Sequence, residues 1–204
     1  MLILDSPVTL GLIIANVILS FAGFNSEAFI RRNLFIVGPI LQGQQYHRLI
    51  TSGFLHANGM HLFFNMITLF FFGPAMEYVL GSPGFAITYA AGLLGGGLWS
   101  LMEHNREPDY AALGASGAVA GVLVSYCLFA PFSMIFIYFI PVPAIIFAVA
   151  FIAYSAVAST RDQGRIAHDA HLGGALAGAL ATIIQRPDAW SEFTGSIEQV
   201  LGLG

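Results

Sequence analysis

Long apolar runs separated by short polar breaks dominate the chain, and the runs have the length of bilayer-crossing helices. Such a helix needs about 20 mostly apolar residues. Runs of this kind cover approximately 7–24, 59–80, 85–102, 114–131, 143–159 and 170–184. The second and third are split by the turn signal "GSPG" at 81–84. From Ala111 to Ala158 there is no charged residue, too long a stretch for one helix through a core about 30 Å thick. Pro131 and "PVP" at 141–143 therefore mark a turn between two helices. Segment 25–58 combines Arg31, Arg32, His47 and Arg48 with the apolar "LFIVGPIL", which predicts a loop lying partly in the interface. The tail 187–204 is polar, with Trp190, Phe193, Ile197 and Leu201 at helical spacing, and predicts a short interfacial helix. The expected fold is an all-α integral membrane protein. It has one domain over 1–204, a six-transmembrane-helix bundle with a partly membrane-embedded first loop.

Composition removes the soluble alternative. The chain is 57% hydrophobic and 9% charged, against about 25% charged in soluble domains. The first run follows "MLILDSP", which has no basic n-region, so it reads as a retained span rather than a cleaved signal. Net charge is −4, and all seven basic residues are arginine with no clustered basic face. Nucleic acid is thereby excluded as a partner. Cys127 is the lone cysteine, so no intramolecular disulfide forms.

Polar side chains inside a bilayer are costly, and each needs a partner or a task. Three groups stand out. His61 and Asn65 share one face of the second run at i and i+4. Ser116 opens the fourth run in "GASG", and His171 lies one turn into the sixth in "AHDAHLGGALAG". Runs two, four and six enter the membrane from the same side, so all three groups fall at similar depth in one leaflet. Each has a bland reading as well: Ser bonding a carbonyl one turn back, His or Asn bridging helices. The pairs Gly92/Gly96, Gly117/Gly121 and Gly174/Gly178 read as close helix packing.

Other chemistries fail on spacing. Asp169 and His171 are i and i+2 and do not face each other on a helix, which argues against a Ser-His-Asp triad. His47, His104 and His168 read as loop or interfacial residues, and Ser125 and Ser155 as packing. There is no H-E-x-x-H. His61, His168 and His171 have no cysteine or positioned carboxylate to complete a metal site. Ala118 stands where a nucleophile elbow requires its second glycine. A solute channel is disfavoured because the polar groups occupy one leaflet.

"HLFFN" at 61–65, "GASG" at 114–117 and "AHLGGALAG" at 170–178, with "FLHANGMH" at 54–61, resemble the rhomboid intramembrane serine proteases over about 45–185. The resemblance implies Ser116 as nucleophile and His171 as general base in a Ser-His dyad. His61 and Asn65 would join the Ser116 N–H as oxyanion donors, and His56 would be structural. Gly114, Gly117, Gly174 and Gly178 would pack helices, the last two bringing helix six to helix four. It further implies membrane-protein substrates, single-pass or polytopic, cut within a transmembrane segment after a small residue such as alanine. Substrate would arrive beside the fifth helix, with loop 155–168 as a cap. No cofactor or metal is expected, and the oligomeric state is not legible. The alternative is a non-catalytic rhomboid-like protein that binds membrane proteins.

Two departures from the family pattern bear on the site. His47-Arg48 stands where many relatives have Trp-Arg, and Ala120 stands where some carry an aromatic against the catalytic imidazole. Orientation is contested. Six of the seven arginines lie on the side of loops 1, 3 and 5 and only Arg186 on the other, so the positive-inside rule makes those loops cytoplasmic. The resemblance implies the reverse: a prokaryotic inner (plasma) membrane with the site opening outward. That is the expectation adopted here, because Arg31, Arg32 and Arg48 can be folded into the first loop.

Overall fold

The computed structural model describes residues 3–137, 140–159 and 169–202 and is mostly helical. Helix α1 covers Pro7–Asn25. The first loop follows as helix α2 (Glu27–Asn33), strand β1 (Phe35–Ile36), and helices α3 (Val37–Leu41) and α4 (Arg48–Thr51). Helical backbone then runs over Gly59–Glu103 as α5, broken only at Gly81, whose φ of 70° and ψ of 160° leave the helix. That φ is open to glycine at little cost, so the expected turn at 81–84 is a sharp break between two helical halves. Strand β2 (Ala111–Ala112) leads to α6 (Ser116–Phe129). Strands β3 (Met134–Ile137) and β4 (Ile140–Pro143) precede α7 (Ala144–Ser159), α8 (Asp169–Gln185) and α9 (Asp188–Leu201).

Three expectations change. The fold is not purely helical: β1 pairs with β2 and β3 with β4, both antiparallel. The β3–β4 hairpin forms where Pro141 and Pro143 cannot donate helical hydrogen bonds but are tolerated on an edge strand. The helix expected from 114 begins at Ser116, with Ala115 at its N-cap. Among the described residues, only α1 and α5 are long and apolar enough by themselves to cross a membrane; Ser116–Phe129, Ala144–Ala153 and Ala170–Gln185 are shorter apolar helices.

Helix α8 packs against α5 and α6, and α6 against α5, while α1 lies on α5 and α7 flanks α6 and α8. The three glycine pairs meet at one place. A Cβ on Gly121 would stand 2.9 Å from the Gly174 carbonyl oxygen, 3.2 Å from Gly92 Cα and 3.3 Å from Gly178 Cα. One on Gly178 would stand 2.5 Å from Gly121 Cα. Only residues without a side chain permit this backbone-to-backbone approach, and in lipid close packing is a main force between helices.

Two other clusters of polar side chains satisfy one another. Glu77 accepts from the Val8 N–H at 3.0 Å, the Thr9 N–H and hydroxyl at 2.8 Å each, and the Ser82 hydroxyl at 2.6 Å. It thereby caps α1, whose own N-cap Ser6 makes no side-chain cap. Ser125 accepts from the Thr182 hydroxyl at 2.8 Å, Thr182 meets Thr88 at 3.2 Å, and Gln185 donates to Thr88 at 3.1 Å. This network ties α5, α6 and α8 together below the glycine contact, so Ser125 is a packing residue.

Candidate active site

The first loop holds the segment that leads into Ser116. Pairing of Phe35 with Ala112 and Ile36 with Ala111 is extended by the Val37 N–H donating to the Tyr110 carbonyl at 3.2 Å and the Gly38 N–H to that of Pro108 at 2.8 Å. The Gly114 N–H donates to the Ser52 carbonyl at 3.1 Å. The loop itself is ordered by Arg48, buried, which donates to the Arg31 carbonyl at 3.0 Å, the Leu34 carbonyl at 2.6 Å and Gln45 Oε1 at 2.8 Å. His47 keeps to the loop surface, 3.4 Å from the Arg32 carbonyl. Neither the Ser52 carbonyl nor its bond to Gly114 has a sequence signal, because a backbone acceptor carries no residue identity.

The sequence suggests helix packing for Gly114, but the residue precedes α6. It lies outside α6 at φ 131°, a conformation L side chains rarely adopt. The point where its Cβ would stand is 2.7 Å from His61 Cε1, 2.9 Å from His61 Nε2 and 3.5 Å from Ser116 Oγ. The glycine thus lets the imidazole of His61 close over the start of α6 beside the serine hydroxyl. Gly117 and Gly174 do pack: a Cβ on Gly174 would enter the Gly117 backbone, and one on Gly117 would stand 3.2 Å from the Ala170 carbonyl oxygen. Ser116 and His171 adjoin that Gly117–Ala170 contact on their respective helices. Both are buried, at 6% and 4% exposure.

Ser116 is the first residue of α6, and Ala115 has no side chain with which to cap it. The first α6 amide with a helical acceptor is that of Val119, which donates to Ala115 at 2.9 Å. The amides of Ser116, Gly117 and Ala118 precede that turn and have no intrahelical acceptor. A developing negative charge at the serine would meet these donors and the positive end of the helix dipole.

The tautomer of His61 follows from its other nitrogen. The Ala57 N–H donates to His61 Nδ1 at 3.5 Å, so in the neutral ring the proton is on Nε2, the atom beside Gly114 and Ser116. Asn58 caps α5 by accepting from the His61 N–H at 2.9 Å. Asn65, buried, spends one amide proton on the His61 carbonyl at 2.9 Å and keeps a second. His56, in the segment before α5, ties the group to Ser20 of α1. Ser20 donates to the Phe54 carbonyl at 3.1 Å and meets His56 Nδ1 at 2.8 Å. Its single proton is therefore committed, and His56 donates from Nδ1. The His56 ring packs edge-on against His61, 4.9 Å between centroids. Burial, and secondarily the neighbouring His61, push the His56 imidazole down to about 3. His56 is neutral wherever the protein is folded near neutral pH.

His171 stacks on Phe151 of α7, with centroids 5.2 Å apart and planes at 26°. On α6, Ala120 is fully buried and offers no ring. The ring stacked on His171 thus comes from α7, which the sequence could not announce in so uniformly apolar a run. A cavity of about 40 Å³ opens beside Ser116 with Ser52 and Ser100 in its lining, room for a single water. A second opening, an apolar groove of about 520 Å³, lies between the first half of α5 and α7. Phe63, Phe64, Phe71, Phe72, Tyr126 and Phe147 line it.

Of the remaining histidines, His104 stacks on Tyr110 at 3.6 Å and lies 3.2 Å from Glu107, a loop role. Asp169 begins α8. Its side chain, His168, and most of loop 155–168 with "DQGR" lie outside the described residues.

A family model described as Rhomboid domain matches residues 43–187. Among curated proteins, the chain is similar to "RHOMBOID-like protein 12, mitochondrial" of Arabidopsis thaliana, 33% identical over 195 residues, 87% of this chain and 58% of that protein. It is also similar to "Rhomboid protein 1, mitochondrial" of Saccharomyces cerevisiae, 33% identical over 141 residues, 65% of this chain and 40% of that protein. A candidate rhomboid protease of Bacillus subtilis, YdcA, is 40% identical over 84 residues, 40% of each chain. The chain thus spans between 40% and 58% of the length of these relatives.

Proposed function

The chain belongs to the rhomboid family, a family of membrane proteins, and from that premise we propose that it is an intramembrane serine endopeptidase working through Ser116 and His171. The observation that supports the reading is the Gly117–Ala170 contact between α6 and α8, next to which Ser116 and His171 stand in sequence. Serine becomes a useful nucleophile when a base within hydrogen-bond reach takes its proton. In the proposed reaction His171 accepts the Ser116 proton as Oγ attacks a substrate carbonyl, then returns it to the leaving amine. Water attacks the resulting acyl-enzyme, with His171 again as base. The oxyanion would be held by the Ser116 N–H, the His61 Nε2–H and the second Asn65 N–H.

The helix lengths support a recessed site. At 1.5 Å per residue, the 14 residues of α6 extend about 21 Å, against a hydrocarbon core about 30 Å thick. A helix of that length reaching the far surface starts below the near one. The structured first loop fills the space above it. We count six crossings: α1, the two halves of α5 on either side of Gly81, α6, α7 and α8. The groove between α5 and α7 suits an apolar segment of another membrane protein, which must unwind locally to present a carbonyl. Substrates are therefore proposed to be single-pass or polytopic membrane proteins, cut after a small residue.

The mouth is proposed to open on the outer face of a prokaryotic plasma membrane. Burial of Arg48 on backbone carbonyls, and the Arg31–Glu27 pair at 2.6 Å, weaken the opposing count of arginines. Two of the three relatives are named mitochondrial and do not support a prokaryotic membrane. Cysteine introduced at Asn105, with the buried Cys127 as background, tests orientation: exclusion of an impermeant label from intact cells would overturn the outward mouth.

The test of function is gel-based cleavage of a transmembrane substrate by purified protein, beside labelling with a fluorophosphonate. Both are expected in the wild type and lost in Ser116→Ala and His171→Ala. Cleavage by Ser116→Ala at the wild-type rate would remove the dyad. Binding of a membrane protein with neither labelling nor cleavage would favour the non-catalytic alternative.

A further inference from the structure

A base that must meet Ser116 in one orientation needs its ring plane fixed, and a flat neighbour stacked on the ring does this. One such neighbour of His171 is the face of Phe151, 5.2 Å away at 26°. A ring can fix another only if it is itself held. Phe151 leans on Phe147, 6.4 Å away, and Phe147 stacks on Phe72 at 6.3 Å and 11°. Phe72, buried in α5, packs edge-on against Tyr126 of α6 at 5.0 Å. The series therefore runs from α8 through α7 to the two central helices. On α6 the turn after Ser116 offers only Ala120, so no ring from that helix shares the task.

We propose that Phe151 is a positioning residue that sets the plane of the His171 imidazole from helix α7. The inference rests on the proposed protease reading. It gives α7 two roles, because Phe147 lines the apolar groove one turn away from Phe151. The wall against which a substrate segment lies and the support of the base belong to one helix.

Phe151→Leu removes the flat face, Phe151→Met keeps bulk without a ring, and Phe151→Tyr restores the ring. Val149→Ala, at an exposed position on the same helix, controls for general disturbance of α7. Each is purified in detergent and measured for fluorophosphonate labelling rate, for kcat and KM on a transmembrane substrate, and for thermal midpoint. Phe151→Leu and Phe151→Met are expected to lose about 10- to 100-fold in kcat and in labelling rate, the scale of a misplaced catalytic group. KM should stay within about twofold, and Phe151→Tyr should recover most of the loss, as expected where the ring face carries the effect. Wild-type kcat in Phe151→Leu or Phe151→Met overturns the proposal. So does a loss that Phe151→Tyr fails to restore while its thermal midpoint matches the wild type. Absence of labelling in the wild type overturns the protease reading, and this inference with it; labelling that is present and indifferent to Phe151 overturns this inference alone.

Discussion

His171 has two flanks. Toward α6, the backbones of Gly117, Gly121, Gly174 and Gly178 touch, and almost no side-chain atom lies between the helices. Toward α7, the ring of Phe151 stacks on His171, and the protein opens into the groove of about 520 Å³ lined by Phe147. The glycine flank sets where α8 stands with respect to Ser116 and has no tolerance for added atoms. The aromatic flank sets how the imidazole is turned and leaves space where a substrate segment can lie. Rigidity that holds nucleophile and base together is thereby separated from the opening that admits a substrate.

The glycine flank is the easier to break. Gly174→Ala places a methyl group inside the Gly117 backbone, so the helices must part. A stability loss of about 1–3 kcal/mol is expected in thermal unfolding. Activity should drop by about 100-fold or more as the base recedes. A variant of wild-type stability and activity would mean that the contact is not what holds the dyad.

Next in size are the donors over the serine. Asn65→Ala and His61→Ala should each reduce kcat by about 10²–10³ while fluorophosphonate labelling remains detectable. Equal loss in KM alone would remove them from transition-state stabilisation. Gly114→Ala should act through the same atoms. It forces a methyl toward His61 Nε2 and strains a backbone at φ 131°. The expectation is a loss in kcat comparable to that of His61→Ala.

A smaller effect is expected from His56. Its folded value of about 3 lies below the ordinary histidine value of about 6.5. The unfolded chain therefore binds the extra proton first as pH falls. The stability associated with neutral His56 is complete above about 6.5 and is lost progressively down toward about 3. The thermal midpoint in detergent should fall over that window, and His56→Asn should flatten the fall. An unchanged slope would assign the acid sensitivity elsewhere. Least of all, Ile146→Ala on the exposed side of α7 should shift stability by no more than about 0.5 kcal/mol. A large shift would show that this edge is packed rather than open.

Helix positions were legible because they follow from local pattern. The apolar runs place α1, α5, α7 and α8 within a residue or two of their observed bounds, and "GSPG" places the break at Gly81. The i,i+4 glycines mark helix faces that accept a close neighbour, and the motifs place His61, Asn65, Ser116 and His171 near the starts of α5, α6 and α8. What the sequence could not decide was partnership. Small-residue spacing says that a helix will be approached, not that Gly121 meets both Gly92 and Gly174. "GASG" suggested helix packing for Gly114, and only the fold shows it outside the helix under the ring of His61. The apolar α7 contains two phenylalanines, Phe147 and Phe151, with equal claims, and the one that faces His171 depends on the rotation and tilt of that helix against its neighbours. Hydrophobic pattern fixes which residues leave water, because transfer from water is non-directional. Ring planes, tautomers and backbone contacts are directional, and only the assembled helices determine them.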